Sequence, residues 1–77
     1  MNWQAVKLDP SSRLFYVHNL MYIHLGHNYK IEIQEYPTGE FIGFIESTID
    51  RFQQFSPVTS DSLASCLQNL VARVSES

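Results

Sequence analysis

The feature that most constrains the fold of this chain is a strict alternation of apolar and polar residues near its middle. From Tyr29 to Glu35, the apolar side chains of Tyr29, Ile31 and Ile33 alternate with polar ones. Because a period of two places successive side chains on opposite sides of an extended backbone, the segment predicts a half-buried β-strand.

A turn and a second strand follow directly. The segment Tyr36-Pro37-Thr38-Gly39 combines a proline, whose fixed φ suits the second position of a turn, with a glycine that tolerates positive φ. Large apolar residues resume after the turn, which predicts a strand from Glu40 to Ser47. The two strands and their turn form a β-hairpin.

The second strand of this hairpin carries large apolar groups on both faces. Phe41 and Ile45 point to one side, and Ile42 and Phe44 point to the other. A single helix covers only one face. The other face is either closed by the N-terminal part of the chain or meets a partner, which could be a second copy of the chain.

The segment from Leu14 to Leu25 is rich in aromatic and β-branched residues and predicts one long bent strand or two short strands broken near Asn19. Asp9-Pro10 and Gly26 would also suit the start and stop of a helix. The strand is favoured because a helix would carry apolar groups on nearly every side. Five apolar residues of the segment share one parity, namely Phe15, Val17, Met21, Ile23 and Leu25.

Three connecting segments complete the predicted sheet. Gly26-His27-Asn28 turns the chain into Tyr29, and Trp3 to Leu8 is predicted as a first strand, paired through the turn Asp9 to Ser12. Thr48 to Val58 is predicted as a short edge strand or an irregular crossing.

The C-terminal segment has the period of an amphipathic helix. Thr59 or Ser60 can cap its N-terminus, while Asp61 in the first turn and Arg73 in the last complement the helix dipole. The apolar stripe consists of Leu63, Leu67, Leu70, Val71 and Val74. The polar side consists of Ser62, Ser65, Gln68, Asn69 and Arg73.

These elements predict one α+β domain over residues 1–77, an antiparallel meander of four to five strands with a C-terminal helix across one face. A chain of 77 residues without internal repeats has no room for a second core.

Charge and composition exclude several classes of function. Five Lys and Arg residues against eight Asp and Glu residues give a net charge of −3, so the basic surface that nucleic-acid binding depends on is missing. No apolar run reaches the ~20 residues of a membrane helix. We therefore expect a cytoplasmic protein, and the single cysteine, Cys66, which excludes an internal disulfide framework, fits a reducing compartment.

The candidate catalytic and metal-ligating residues point to structural roles. His18 and His24 would lie about 20 Å apart along an extended strand, and His27 has no Cys, Asp or Glu nearby to complete a metal site. Cys66 lies at the margin of the helical stripe and is predicted to pack as a small apolar group. We therefore expect no catalytic residues, no metal and no cofactor.

Five carboxylates surround the hairpin and are interpreted as a solvated face or as a surface for a basic partner, namely Glu32, Glu35, Glu40, Glu46 and Asp50. An alternative function, single-stranded RNA binding, would use aromatic residues as a stacking platform. Its candidate members are Tyr16, Tyr22, Tyr29, Tyr36, Phe41 and Phe44. Too few Arg and Lys residues accompany them, so packing between strands is favoured.

The stretch from Tyr29 to Val74 resembles the antitoxin domain of the HicB family. The matching residues are Tyr29-Lys30-Ile31-Glu32-Ile33, then Gly39-Glu40-Phe41-Ile42-Gly43-Phe44, then Thr59-Ser60-Asp61-Ser62-Leu63 with Leu67 and Leu70. Arg51-Phe52-Gln53-Gln54-Phe55 replaces the Pro- and Gly-containing loop of that family. The resemblance implies a non-enzymatic fold that covers a partner protein.

The sequence therefore predicts a small acidic protein-interaction module, antitoxin-like or an inhibitor or accessory subunit, that binds a protein partner through its sheet face or edge and forms a homodimer. The candidate binding residues are Ile42, Phe44, Tyr22, Tyr36 and Glu32.

Overall fold

The computed structural model of the chain describes residues 5–49 and 55–76. Its elements are β1 (Tyr16–His24), β2 (His27–Glu35), β3 (Phe41–Ser47), β4 (Val58–Ser60) and α1 (Leu63–Glu76). The four strands form one antiparallel sheet in the order β1-β2-β3-β4, and α1 packs against it. This is the α+β meander that the sequence predicts, with four strands.

The strand register decides which side chains share a face of the sheet. Leu20 of β1 lies opposite Ile31 of β2, which lies opposite Ile45 of β3, and the pairing runs without a bulge along each strand. Directly opposite residues point to the same side. We call the side of Ile31 and Ile45 the covered face because α1 packs on it, and the other side the open face.

A stripe of side chains four residues apart attaches α1 to the covered face. Cys66 and Leu70 are fully buried, and Val74 is nearly so. A Cβ at Gly43 of β3 would lie 2.6 Å from Leu70 Cδ1 and 2.7 Å from Cys66 Sγ. The missing side chain of Gly43 therefore lets α1 approach the strand closely. The core consists of Tyr29, Ile31, Ile33, Ile45, Val58, Cys66, Leu70 and Val74.

The helix begins two or three residues later than its predicted caps imply. Ser62 is the N-cap, since its Oγ accepts a hydrogen bond from the Ser65 N–H at 3.1 Å. The prediction of Thr59 or Ser60 is wrong because both residues are paired in β4. Asp61 consequently precedes the helix, whereas Arg73 lies in its last turn as expected.

The long aromatic segment forms a single strand, β1, without a break at Asn19. The turn that follows consists of Leu25 and Gly26, whose φ angles of 51° and 80° are those of a two-residue hairpin turn. His27 already begins β2, so the predicted turn over residues 26–28 is displaced. Turns of this type follow the right-handed twist of the two strands and allow pairing to start at His24 and His27.

The predicted first strand, Trp3 to Leu8, is not formed by its described part, because residues 5–8 are outside the sheet and exposed. Trp3 and Gln4 lie outside the described residues. The turn that was expected to pair the strand is present: the Ser12 N–H donates to the Asp9 C=O at 2.8 Å. Asp9 Oδ1 also accepts hydrogen bonds from the N–H and hydroxyl of Ser11, so the turn is stabilised locally without a partner strand.

Of the connection predicted from Thr48 to Val58, residues 50–54 lie outside the described residues, and the edge strand begins only at its last residue. Residues 55–57 have no regular structure, and Val58–Ser60 forms the edge strand β4. Phe55 packs edge-on against Tyr29 with 6.3 Å between ring centroids. In the described part of the chain, no helix combines the length and the apolar character that crossing a membrane requires.

Candidate interaction surface

The open face lies opposite α1 and presents one row of side chains from each strand. Its apolar residues lie on the two strands that flank β2, and its polar residues are concentrated on β2 itself. The members are Val17, Asn19, Met21 and Ile23 of β1, Asn28, Lys30, Glu32 and Gln34 of β2, Ile42, Phe44 and Glu46 of β3, and Thr59 of β4.

The apolar groups of the open face are accessible. Met21 and Ile23 are 61% and 66% exposed, Phe44 is 39% exposed, and Ile42 is half-buried. The sequence-predicted outward orientation of Ile42 and Phe44 therefore matches the register. The N-terminal residues that the structure describes before β1 do not bury this face, since residues 5–13 are themselves exposed.

The polar ladder on β2 separates the two apolar strips. Lys30 lies directly opposite Met21 on one side and Glu46 on the other. Glu32 lies between Asn19 and Phe44, and a shallow depression of about 90 Å³ surrounds this row. A depression of this size is much smaller than the ~300–1,000 Å³ of a small-molecule site. The face is thus a nearly flat surface of apolar strips and a few charges.

A chain of hydrogen bonds holds Tyr36 at one corner of the open face. Arg13 Nη2 donates to Tyr36 Oη at 3.2 Å, and the Tyr36 hydroxyl donates to Gln34 Oε1 at 2.7 Å. Gln34 Nε2 donates in turn to Glu32 Oε2 at 3.1 Å. The ring of Phe15 packs against Tyr36 at 5.2 Å. Four predicted binding residues, Ile42, Phe44, Tyr36 and Glu32, therefore lie on one side of the sheet.

The fifth predicted residue, Tyr22, lies elsewhere. It is on the covered face near the β1–β2 turn, where its ring packs against Tyr29 at 6.1 Å. Its hydroxyl lies 3.3 Å from His24 Nδ1. Tyr22 therefore extends the core toward the end of the hairpin and does not join the other four.

The covered face also has an open region where β1 extends beyond the helix. A groove of about 290 Å³ runs between β1 and α1 and includes Leu20, Leu63 and Leu67 in its lining. At this groove His18 Nε2 lies 2.9 Å from Glu35 Oε1, and both side chains are 25% exposed.

The remaining chemical candidates are dispersed. His24 and His27 face each other across the hairpin end. No group of three or more His, Cys, Asp or Glu residues in the described ranges could hold a metal ion. Glu32 and Glu46 are on the open face, Glu35 pairs with His18, and Asp50 lies outside the described residues.

Cys66 lies deeper than its predicted position at the stripe margin. Its thiol is fully buried and lies 3.7 Å from the carbonyl oxygen of Val58, toward which it can donate. Burial raises the pKa of this thiol above its ordinary value of 9.0. The predicted apolar packing role agrees with this location, since a neutral, inaccessible thiol is a poor nucleophile.

The six aromatic residues proposed as a stacking platform divide between the two faces. Tyr16, Tyr22, Tyr29 and Phe41 lie on the covered face, whereas Tyr36 and Phe44 lie on the open side. Tyr29 is buried in the core. The six rings thus do not form a common platform.

The open-face residues of β1 are absent from the predicted binding set. Val17, Met21 and Ile23 were recognisable by their shared parity. Periodicity alone gives no indication of which face a helix covers, so the same parity also fits a core.

Comparisons with known proteins assign no family to the chain, since it matches no protein-family model, no curated protein and no solved structure.

Proposed function

We propose that this chain is a non-enzymatic protein-interaction module that binds a protein partner through its open sheet surface and also associates with a second copy of itself. The observation that carries the proposal is the open face, where Phe44 remains accessible on a strand whose other side forms the core and Met21 and Ile23 remain accessible on the edge strand β1. Exposed apolar groups that share a regular face are typical of protein-binding surfaces.

The shape and charge of the open face favour a protein over a small molecule or a nucleic acid. A flat surface with apolar strips on either side of Lys30 and Glu32 resembles a protein interface, which combines apolar anchors with polar contacts. The chain carries a net charge of −3, which disfavours contact with phosphates. The dispersed aromatic rings give no support to the RNA-binding alternative.

The chemistry of the described residues supports a non-enzymatic role. Cys66 is fully buried, and no group of three or more His, Cys, Asp or Glu residues in the described ranges could hold a metal ion. The resemblance of residues 29–74 to the HicB antitoxin domain favours the same function, that of covering a partner protein. A single unpaired cysteine fits a reducing compartment such as the cytoplasm.

The proposal is tested by capture of proteins from a host-cell lysate with three baits: the native chain, Phe44→Ser and Val6→Ser. Val6 is 49% exposed and precedes β1, so Val6→Ser removes an apolar side chain of comparable exposure outside the open face. We expect one protein to be retained in stoichiometric amount by the native and Val6→Ser baits and lost with Phe44→Ser. Identical capture by all three folded baits would contradict a role for the open face.

A further inference from the structure

The backbone of β1 faces outward at every second residue. The Tyr36 N–H donates to the Glu40 C=O and the Thr48 N–H donates to the Asn28 C=O, so the even-numbered residues of β2 bond to β3. Because bonding direction alternates along a strand, the odd-numbered residues of β2 bond to β1. Their partners are the even-numbered residues of β1, from Tyr16 to His24.

It follows that four residues of β1 direct their N–H and C=O groups away from the sheet. These residues are Val17, Asn19, Met21 and Ile23, and within the described ranges no other strand pairs with this edge. They leave four donors and four acceptors in a row, which is the template that another strand requires.

β1 also lacks the features by which edge strands normally avoid pairing. Its nine residues contain no proline, no Lys, Arg, Asp or Glu, and its register is free of bulges. The opposite edge differs in length and in its flanking residue, because β4 has only three residues and directly follows Pro57. Of the two edges, β1 is the one suited to pairing.

Exposed apolar surface is concentrated at the same edge. Among the residues that the structure describes, six of the ten exposed large hydrophobic ones are Tyr16, Val17, Leu20, Met21, Ile23 and Leu25.

We propose that two copies of the chain pair antiparallel along β1 and form one continuous eight-stranded sheet. This inference deepens the proposed function, on whose self-association it rests, by naming the edge and the register. With a two-fold axis at Leu20, each residue of one β1 lies opposite the residue of the other β1 whose number brings the sum of the two to 40. All nine residues of each strand are then paired. Val17 pairs with Ile23 of the other copy and Asn19 with Met21, which uses every outward backbone group.

Neighbouring registers use fewer of these groups. An axis at Met21 would oppose Val17 to Leu25, which lies in the turn, and an axis at Asn19 would oppose Ile23 to Phe15, which precedes the strand. No register brings Lys, Arg, Asp or Glu of one β1 against another, because β1 contains none of them. Both helices lie on the same side of the resulting sheet because opposite residues share a face.

The register is tested by disulfide formation in the full chain. At the axis, Leu20 of one copy lies beside Leu20 of the other as a pair without backbone hydrogen bonds, with Cα atoms about 4.5 Å apart. This separation suits a disulfide. We expect Leu20→Cys to cross-link two chains on mild oxidation. Val17→Cys is the matched control, because Val17 has similar exposure but lies about 20 Å from its own copy.

Association itself is tested by sedimentation equilibrium of the native chain, for which we expect reversible formation of a species of twice 8.9 kDa. Met21→Lys should raise the dissociation constant at least about tenfold, since it places a charge at the edge and two ammonium groups on diagonal positions. Ile49→Lys, at a residue 75% exposed and outside the strands, should leave the constant unchanged.

Pairing across the axis also predicts charge rescue. Leu20→Lys and Leu20→Glu should each remain monomeric, and an equimolar mixture should form a mixed dimer. A native chain that remains monomeric at millimolar concentration would overturn the inference. A dimer that forms without the Leu20→Cys cross-link would also overturn it, while leaving self-association through another surface. The capture experiment with Phe44→Ser tests partner binding by the open face, and its result does not affect the test of β1 pairing.

Discussion

The two faces of this sheet differ in how deeply their side chains are buried. On the covered face, Ile31 and Ile33 of β2 are at most 3% exposed, whereas Phe44 of the adjacent strand remains 39% exposed on the open face. β1 lies beyond the helix, and it is exposed on both sides: Tyr16 is 53% exposed on the covered face and Ile23 is 66% exposed on the open face. Burial therefore follows the position of α1 and not the hydrophobicity of the residue.

The comparison also separates stability from binding. Substitutions under α1 are expected to destabilise the fold, whereas substitutions on the open face and the β1 edge are expected to weaken association and leave the fold nearly intact. Each of the following variants tests one side of this division.

The largest effect is expected for Leu70→Ala. Leu70 is fully buried between α1 and β3, so its truncation removes apolar contacts and leaves a cavity. The cost should be about 2–5 kcal/mol, a large part of the stability of so small a domain. Urea denaturation followed by circular dichroism measures it, and a loss below 1 kcal/mol would contradict the placement of α1.

Gly43→Ala should come next. The added Cβ would meet the side chains of Leu70 and Cys66 at distances under 3 Å, so α1 has to shift away from the sheet. Overpacking of this kind costs roughly 1–3 kcal/mol. The same denaturation experiment should show an unchanged midpoint if the helix does not approach β3 as described.

The buried thiol predicts a loss of stability at high pH. The pKa of Cys66 is raised in the folded chain by burial, so the neutral thiol is favoured there. Its contribution is fully present below the ordinary value of 9.0 and is lost as the pH rises through the folded pKa. The slope should not exceed about 1.4 kcal/mol per pH unit, and Cys66→Ala should lack this component. Equal slopes for both chains would refute it.

The exposed face should tolerate substitution. Phe44→Ser is expected to lower the unfolding free energy by about 1–2 kcal/mol, because Phe44 is 39% exposed and loses only part of the ~3 kcal/mol of full burial. Phe41→Ser, three residues earlier on the same strand, is the matched comparison, since Phe41 packs against the core and should cost more. Equal losses for the two variants would remove the distinction between the faces.

The smallest effect is expected at the β1–β2 turn, where substitution should stabilise. Leu25 has a φ of 51° and is 85% exposed, a conformation that favours Asn over Leu. Leu25→Asn should therefore raise the unfolding free energy by up to about 1 kcal/mol. A decrease, measured by thermal or urea unfolding, would indicate that the leucine side chain stabilises the turn.

The sequence predicts most of the fold because its strongest signals are local. The alternation from Tyr29 to Glu35, the turn at Pro37 and Gly39 and the leucine spacing of α1 each determine an element without reference to the rest of the chain. The β1–β2 turn was displaced because Leu25 gives no signal of positive φ. The helix cap was misplaced because Thr59, Ser60 and Ser62 are equivalent caps until pairing with β3 selects the first two for β4.

The members of the candidate interaction surface were only partly predictable from the sequence, for a physical reason. Ile42 and Phe44 stand out because they alternate with apolar residues on one strand, whereas Val17, Met21 and Ile23 form a parity that fits either a core or an exposed edge. The position of a strand at the sheet edge depends on all the pairings together. Tyr22 lies on the opposite face from the other four candidates because its face is determined by the register with Tyr29, which the sequence alone does not give.

The most direct test is amide hydrogen exchange of β1 at low and high protein concentration. The amides of Leu20 and Tyr22 point toward β2 and should exchange slowly at both concentrations. The amides of Val17, Asn19, Met21 and Ile23 should exchange fast in the dilute protein and slow together as its concentration rises. Fast exchange of these four amides at every concentration would show that no second chain completes the edge.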